Sequence, residues 1–105
     1  MTSIATGWET LLAQVPRAAF IPDAIWIYDA GGDLVPVIRQ QDPDRWQAAA
    51  AANEPVITQV NLGEDGDPEF PSSSCSKPSI VAAMLDALDL APGRAVLEIG
   101  TGTGW

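Results

Sequence analysis

Ala95-Val96-Leu97-Glu98-Ile99-Gly100-Thr101-Gly102-Thr103-Gly104-Trp105 decides how the chain is read: a short apolar run that spells a strand, then three glycines alternating with other residues. A strand delivered into closely spaced glycines marks a cofactor loop, because the missing side chains let backbone amides come close to an anionic or carboxylate-bearing ligand. Working back from it, Ile80, Val81, Met84, Leu85 and Leu88 recur at helical spacing, and Pro92-Gly93 separates that helix from the strand. The order helix, tight turn, strand, glycine loop is an α/β signature.

The helix before the loop has its own start signal. Ser76 stands where a capping hydroxyl is expected, with Pro78 in the first turn, and the serine run Ser72-Ser73-Ser74 precedes it. Further back, Pro55 to Val60 is rich in β-branched residues and reads as a strand. The stretch from Gly63 to Pro68 carries Glu64, Asp65 and Asp67 between two glycines and reads as an exposed loop; it lacks the ordered alternation and distal glutamate of a calcium loop. Asp42 caps a helix that has Pro43 at its first position and an alanine-rich body from Trp46 to Ala52. Two short extended pieces, Ala24 to Tyr28 and Leu34 to Ile38, flank the turn signal Gly31-Gly32-Asp33. Trp8, Leu11, Leu12 and Val15 make a short amphipathic helix stopped by Pro16. Between Pro16 and Pro22 lies a single turn whose Phe20-Ile21 pair reads as a knob plugging a core.

Composition narrows the partners. Fourteen acidic residues against five basic ones give a net charge of −9, and no Lys/Arg cluster is available to neutralise phosphates, so neither nucleic acid nor an anionic membrane is an expected partner. With a hydrophobic content of 47% and four tryptophans, the chain is expected to fold at least in part rather than stay disordered. Histidine is absent and Cys75 is the single cysteine, which excludes an internal disulfide and offers no metal-ligand cluster. Cys75 also lacks a base to activate it as a nucleophile. Met1 to Thr6 has neither the basic nor the apolar region of a secretory leader, and no stretch approaches the ~20 apolar residues of a membrane span, so a cytoplasmic location is expected.

The glycine loop excludes two relatives. A phosphate-binding P-loop needs Lys and then Ser or Thr after its glycines, and a dinucleotide fingerprint spaces them as G-x-G-x-x-G; Gly100, Gly102 and Gly104 are spaced as G-x-G-x-G. With Glu98 two residues ahead, the loop resembles the first motif of class I S-adenosyl-L-methionine-dependent methyltransferases. Val15-Pro16-Arg17-Ala18-Ala19-Phe20-Ile21-Pro22 is similar to the V-P-R-x-x-F-[VI]-P element of the protein-L-isoaspartate O-methyltransferases. Ser76, Pro78 and Val81 match the later half of that family's T-I-S-x-P-x-x-V element, and Val96 to Trp105 is similar to its V-L-E-I-G-T-G-S-G-Y. The three matches stand in family order along nearly the whole chain.

The resemblance implies an α/β fold, the amino-terminal portion of a Rossmann-like methyltransferase truncated after its first core strand and glycine loop. Residues 1–70 would form a substrate-side helical and extended segment, and 71–105 the start of the donor-binding domain. It implies S-adenosyl-L-methionine as cofactor, held by Glu98, Gly100, Gly102 and Gly104. Ser76 would sit beside the methyl donor and the incoming carboxylate, a role compatible with capping. The partner implied is a protein or peptide bearing an isoaspartyl or aspartyl carboxylate, with no metal. Two departures stand out: Ser74 and Cys75 replace the family's Thr and Ile, and the segment from Asp23 to Phe70 is longer and more acidic. In these respects the chain looks more like the branch accompanying ribosomally made peptide pathways, including those with ATP-grasp ligases. Lacking the helix after the loop and the acidic residue that would hold ribose hydroxyls, the chain is expected to be a fragment that is inactive alone. A noncatalytic peptide-binding module, or the product of a decayed gene, is the alternative.

Overall fold

The computed structural model describes residues 7–105; the leader reading of Met1 to Thr6 lies outside the described residues. Four strands form one sheet: β1 (Ala24–Tyr28), β2 (Leu34–Ile38), β3 (Val56–Val60) and β4 (Pro71–Cys75), in the order β2-β1-β3-β4. Every neighbouring pair is antiparallel. Three helices accompany it, α1 (Gly7–Ala13), α2 (Pro43–Ala51) and α3 (Pro78–Ala87), so the described residues are mixed α/β.

The β1–β2 hairpin follows from its turn. Asp29 Oδ1 accepts the amides of Gly31 and Asp33, both at 2.9 Å, and Gly32 takes φ +83°, a backbone state that suits glycine. This fixes the register Tyr28↔Leu34 through Ala24↔Ile38 and sets Ile25 opposite Val37. On the other side of the sheet Val56 faces Cys75. Ile25, Val37, Val56 and Cys75 are all buried in one cluster, as side chains of paired residues share a face.

Onto that cluster α2 lays Trp46 and Ala50, four residues apart and therefore on one helical stripe. Trp46 is fully buried, its indole N–H donates to the Pro22 carbonyl at 3.0 Å, and the Arg39 guanidinium covers its ring at 4.4 Å. The Asp42 side chain accepts the Arg45 amide and Pro43 opens the helix, as the sequence predicts. Ile21 is buried in the same cluster while Phe20 is only half-buried, so the core plug is Ile21 alone.

The β3–β4 link is the strained part of the sheet. Asn61, Leu62 and Gly63 take φ of +52°, +55° and +86°, three left-handed residues in succession. Asn61 offsets this by accepting the Glu69 amide at 2.9 Å and donating to the Asp67 carbonyl at 2.9 Å, which draws the acidic loop closed. The loop itself is largely exposed, as expected.

Three expectations change. The serine run does not remain a lead-in but forms β4, paired with β3 through Ile57↔Ser74 and Gln59↔Ser73. Ser76 does not cap α3: Lys77 occupies the cap position without a side-chain bond, and Asn53 Oδ1 reaches across from beyond α2 to accept the Ser79 amide at 2.9 Å. Ala95 to Ile99 forms no strand, leaving Val96, Leu97 and Ile99 at 60%, 84% and 88% exposure. Among the described residues no strand lies beside this run to take its hydrogen bonds, and an apolar sequence without a ladder partner has no reason to stay extended.

Candidate functional site

Ile57 and Ser74 are register partners on the sheet face opposite the α2 cluster, and over them opens a cavity of about 690 Å³. Its size is that of a small-molecule site. Tyr28 from β1 and Ser76 from the β4–α3 junction line it, and the far wall is the glycine loop with Glu98, Gly100 and Gly102. Four of the five residues singled out in the sequence, Ser76, Glu98, Gly100 and Gly102, are thus brought to one cavity. Gly104 lies outside that lining.

The loop turns by its glycines. Gly100, Gly102 and Gly104 take φ of +73°, +60° and +86°, and the Gly104 amide closes a turn onto the Thr101 carbonyl at 3.1 Å. A side chain at Gly102 would sit 3.8 Å from the Ser74 carbonyl oxygen, so this glycine is where the loop approaches β4. Gly100 has open space around the place of a Cβ, on a backbone state that L side chains rarely adopt. Bare backbone at a cavity of this size leaves room for a small molecule to lie against the loop.

Arg17, visible in the sequence only as a member of the V-P-R element, has a structural role that the element does not spell out. It is 5% exposed, and its two terminal nitrogens share their four hydrogens among six carbonyl oxygens within reach: Ala49 (3.5 Å), Ala50 (3.3 Å), Ala52 (3.2 Å), Glu54 (2.6 Å), Cys75 (2.9 Å) and Ser76 (3.2 Å). The first three belong to the C-terminal turn of α2, where unpaired carbonyls and the helix dipole both favour a cation. Trp105 then folds back: its indole N–H donates to the Val15 carbonyl at 2.7 Å and its ring stands 5.9 Å from the Arg17 guanidinium. The available signal was a lone cation between Pro16 and an Ala-Ala pair, ahead of an alanine-rich helix with no cation in its last turn.

Cys75 is buried and free, and no group of three or more potential metal-ligating side chains occurs among the described residues. No helix among them is long and apolar enough to cross a membrane.

The family model described as Protein-L-isoaspartate(D-aspartate) O-methyltransferase matches residues 9–105. A protein named Protein-L-isoaspartate O-methyltransferase from Pyrococcus horikoshii is 39% identical over 62 residues, which are 59% of this chain and 23% of that relative. The matched region thus spans about a quarter of the relative's length. No solved structure gives a significant match.

Proposed function

Because the chain belongs to the protein-L-isoaspartate(D-aspartate) O-methyltransferase family, we propose that it supplies the substrate-facing segment and the first donor-pocket wall of an S-adenosyl-L-methionine-dependent carboxyl methyltransferase. Its substrate is a protein or peptide presenting an isoaspartyl or aspartyl carboxylate. The observation that carries this reading is the convergence of Ser76, Glu98, Gly100 and Gly102 on one cavity, within a chain matched by the family from residue 9 to residue 105.

When bound, the cofactor supplies an electrophilic methyl group on a sulfonium sulfur. The accepting carboxylate, with an ordinary pKa near ~4, is already ionised at neutral pH, so the protein needs to align rather than to deprotonate. The absence of histidine from these 105 residues is no objection to such work. Gly100 and Gly102 keep the backbone bare where the donor lies against it, and Glu98 offers an acceptor at the same wall. Ser76, released from capping α3, has its hydroxyl free to orient the incoming carboxylate beside the donor. The long acidic stretch between Asp23 and Phe70 favours a peptide-specific substrate, as in maturation of ribosomally made peptides, over general repair. A single unpaired, buried cysteine fits the reducing cytoplasm.

The test uses the full-length gene product, S-adenosyl-L-methionine and two peptide sets, isoaspartyl peptides and aspartyl precursor peptides. Calorimetry is expected to give saturable uptake of the donor, and the assay a base-labile methyl ester on one peptide set. A well-folded product that takes up no donor overturns the reading.

A second reading concerns the 105 residues on their own. Exposed Val96, Leu97 and Ile99 leave the loop's supporting strand unformed, which favours a noncatalytic peptide-binding role for this stretch in isolation. The isolated chain is therefore expected not to bind the donor in the micromolar range, and micromolar binding by calorimetry counts against this.

A further inference from the structure

We infer that Arg17 and Trp105 are positioning residues for the donor loop: together they fasten residues 101–105 to the V-P-R turn and to the carbonyl of Ser76. This rests on the methyltransferase reading above, but on contacts that reading does not use.

A cation needed only to close α2 would have its acceptors in Ala49, Ala50 and Ala52. Arg17 instead divides its fork: one terminal nitrogen, Nη1, serves those three carbonyls, and the other, Nη2, serves Glu54, Cys75 and Ser76. The second set lies at the end of β4, where Ser76 lines the cavity. No carboxylate pairs with this buried cation among the described residues, so its orientation is set by carbonyl dipoles on two sides. Its Nε has no hydrogen-bond partner. Lysine could supply the charge but not two donor groups held rigidly in one plane.

Trp105, which itself borders the cavity, carries this geometry to the glycine loop. Its indole bond to Val15 spans 90 residues of sequence, and its ring lies over the guanidinium at the far end of cation–π reach. The loop between Thr101 and Gly104 is a closed turn, so fixing Trp105 fixes the height at which Gly102 meets Ser74. Neither Arg17 nor Trp105 needs to touch the carboxylate. They set the distance between the wall that holds the donor and the residue proposed to face the acceptor.

The experiment compares the full-length gene product with its Trp105→Phe and Arg17→Lys variants. Phenylalanine keeps a ring over the guanidinium and deletes one hydrogen bond. Its expected effect is a loss of about threefold to tenfold in S-adenosyl-L-methionine affinity by calorimetry, the range a single net hydrogen bond covers. The KM for the accepting peptide should be unchanged. A purely structural defect would instead lower the active fraction and leave both KM values alone. Arg17→Lys is expected not to restore affinity, despite its retained charge. If that variant does not fold, Trp105→Phe decides the matter.

Independently of the cofactor, the Trp105 indole N–H should exchange with solvent about tenfold more slowly than a free indole in proton NMR, as a closed contact requires. Exchange as fast as free indole overturns the latch. Donor affinity within twofold of the unaltered protein in Trp105→Phe overturns its positioning role. Failure of the unaltered protein to take up the donor, with the N–H still protected, overturns the methyltransferase reading and leaves the contact standing.

Discussion

The sheet with α2 and the segment from Ala95 to Ile99 are written in similar residues and reach opposite outcomes. Ile25, Val37 and Val56 are all but fully buried, while Val96, Leu97 and Ile99 are mostly in solvent. The difference is supply of partners. Each inner strand finds an antiparallel neighbour within this chain, and β1 and β2 need only a five-residue turn to meet. The run after Pro92-Gly93 finds none among the described residues. Apolar, β-branched sequence is a demand for burial, and what becomes of it depends on which other segments are at hand.

The sharpest test of the buried side is Trp46→Ala. Removal of a fully enclosed indole that also holds the Pro22 carbonyl should cost about 3–5 kcal/mol, read as a lower midpoint in urea denaturation. A loss under about 1 kcal/mol would mean that α2 does not seal the core. Next in size is Asn53→Ala, which removes the side chain that accepts the Ser79 amide. It should cost about 1 kcal/mol, the usual value of a helix cap, with faster amide exchange confined to the first turn of α3. The smallest effect belongs to the exposed side. Leu97→Ser in the 105-residue chain should change stability by less than about 0.5 kcal/mol, since an 84% exposed side chain loses little when shortened. A larger destabilisation there would erase the contrast between the two regions.

What could be read in the sequence divides along the same line. The bounds of β1, β2 and α2 are set by local chemistry: the Asp29 to Asp33 turn, the alternation on either side, and the Asp42-Pro43 start. The strand β4 was hidden because serine carries little strand preference; its place comes from register against β3 and a hydroxyl bond from Thr58 to Ser73. Asn53 takes the capping role expected of Ser76 for a reason no local pattern holds, since it comes from 26 positions away. For the site, the glycines and Glu98 were visible as spacing, whereas Arg17 depends on carbonyls drawn from two distant parts of the chain. The strand expected at Ala95 to Ile99 failed because its pattern says what the residues would do with neighbours.

The six-fold grip of Arg17 also bears on how the polypeptide comes off the ribosome. Two of its acceptors lie 58 and 59 positions downstream, so when α2 first emerges the guanidinium has only half of its eventual partners. It must remain hydrated until Ser76 has been synthesised and has cleared the exit tunnel, since burying a cation with unmet donors is costly. Arg17 and α2 thus cannot settle together until synthesis has run well past Ser76, and a pause upstream of β4 would hold the nascent protein open.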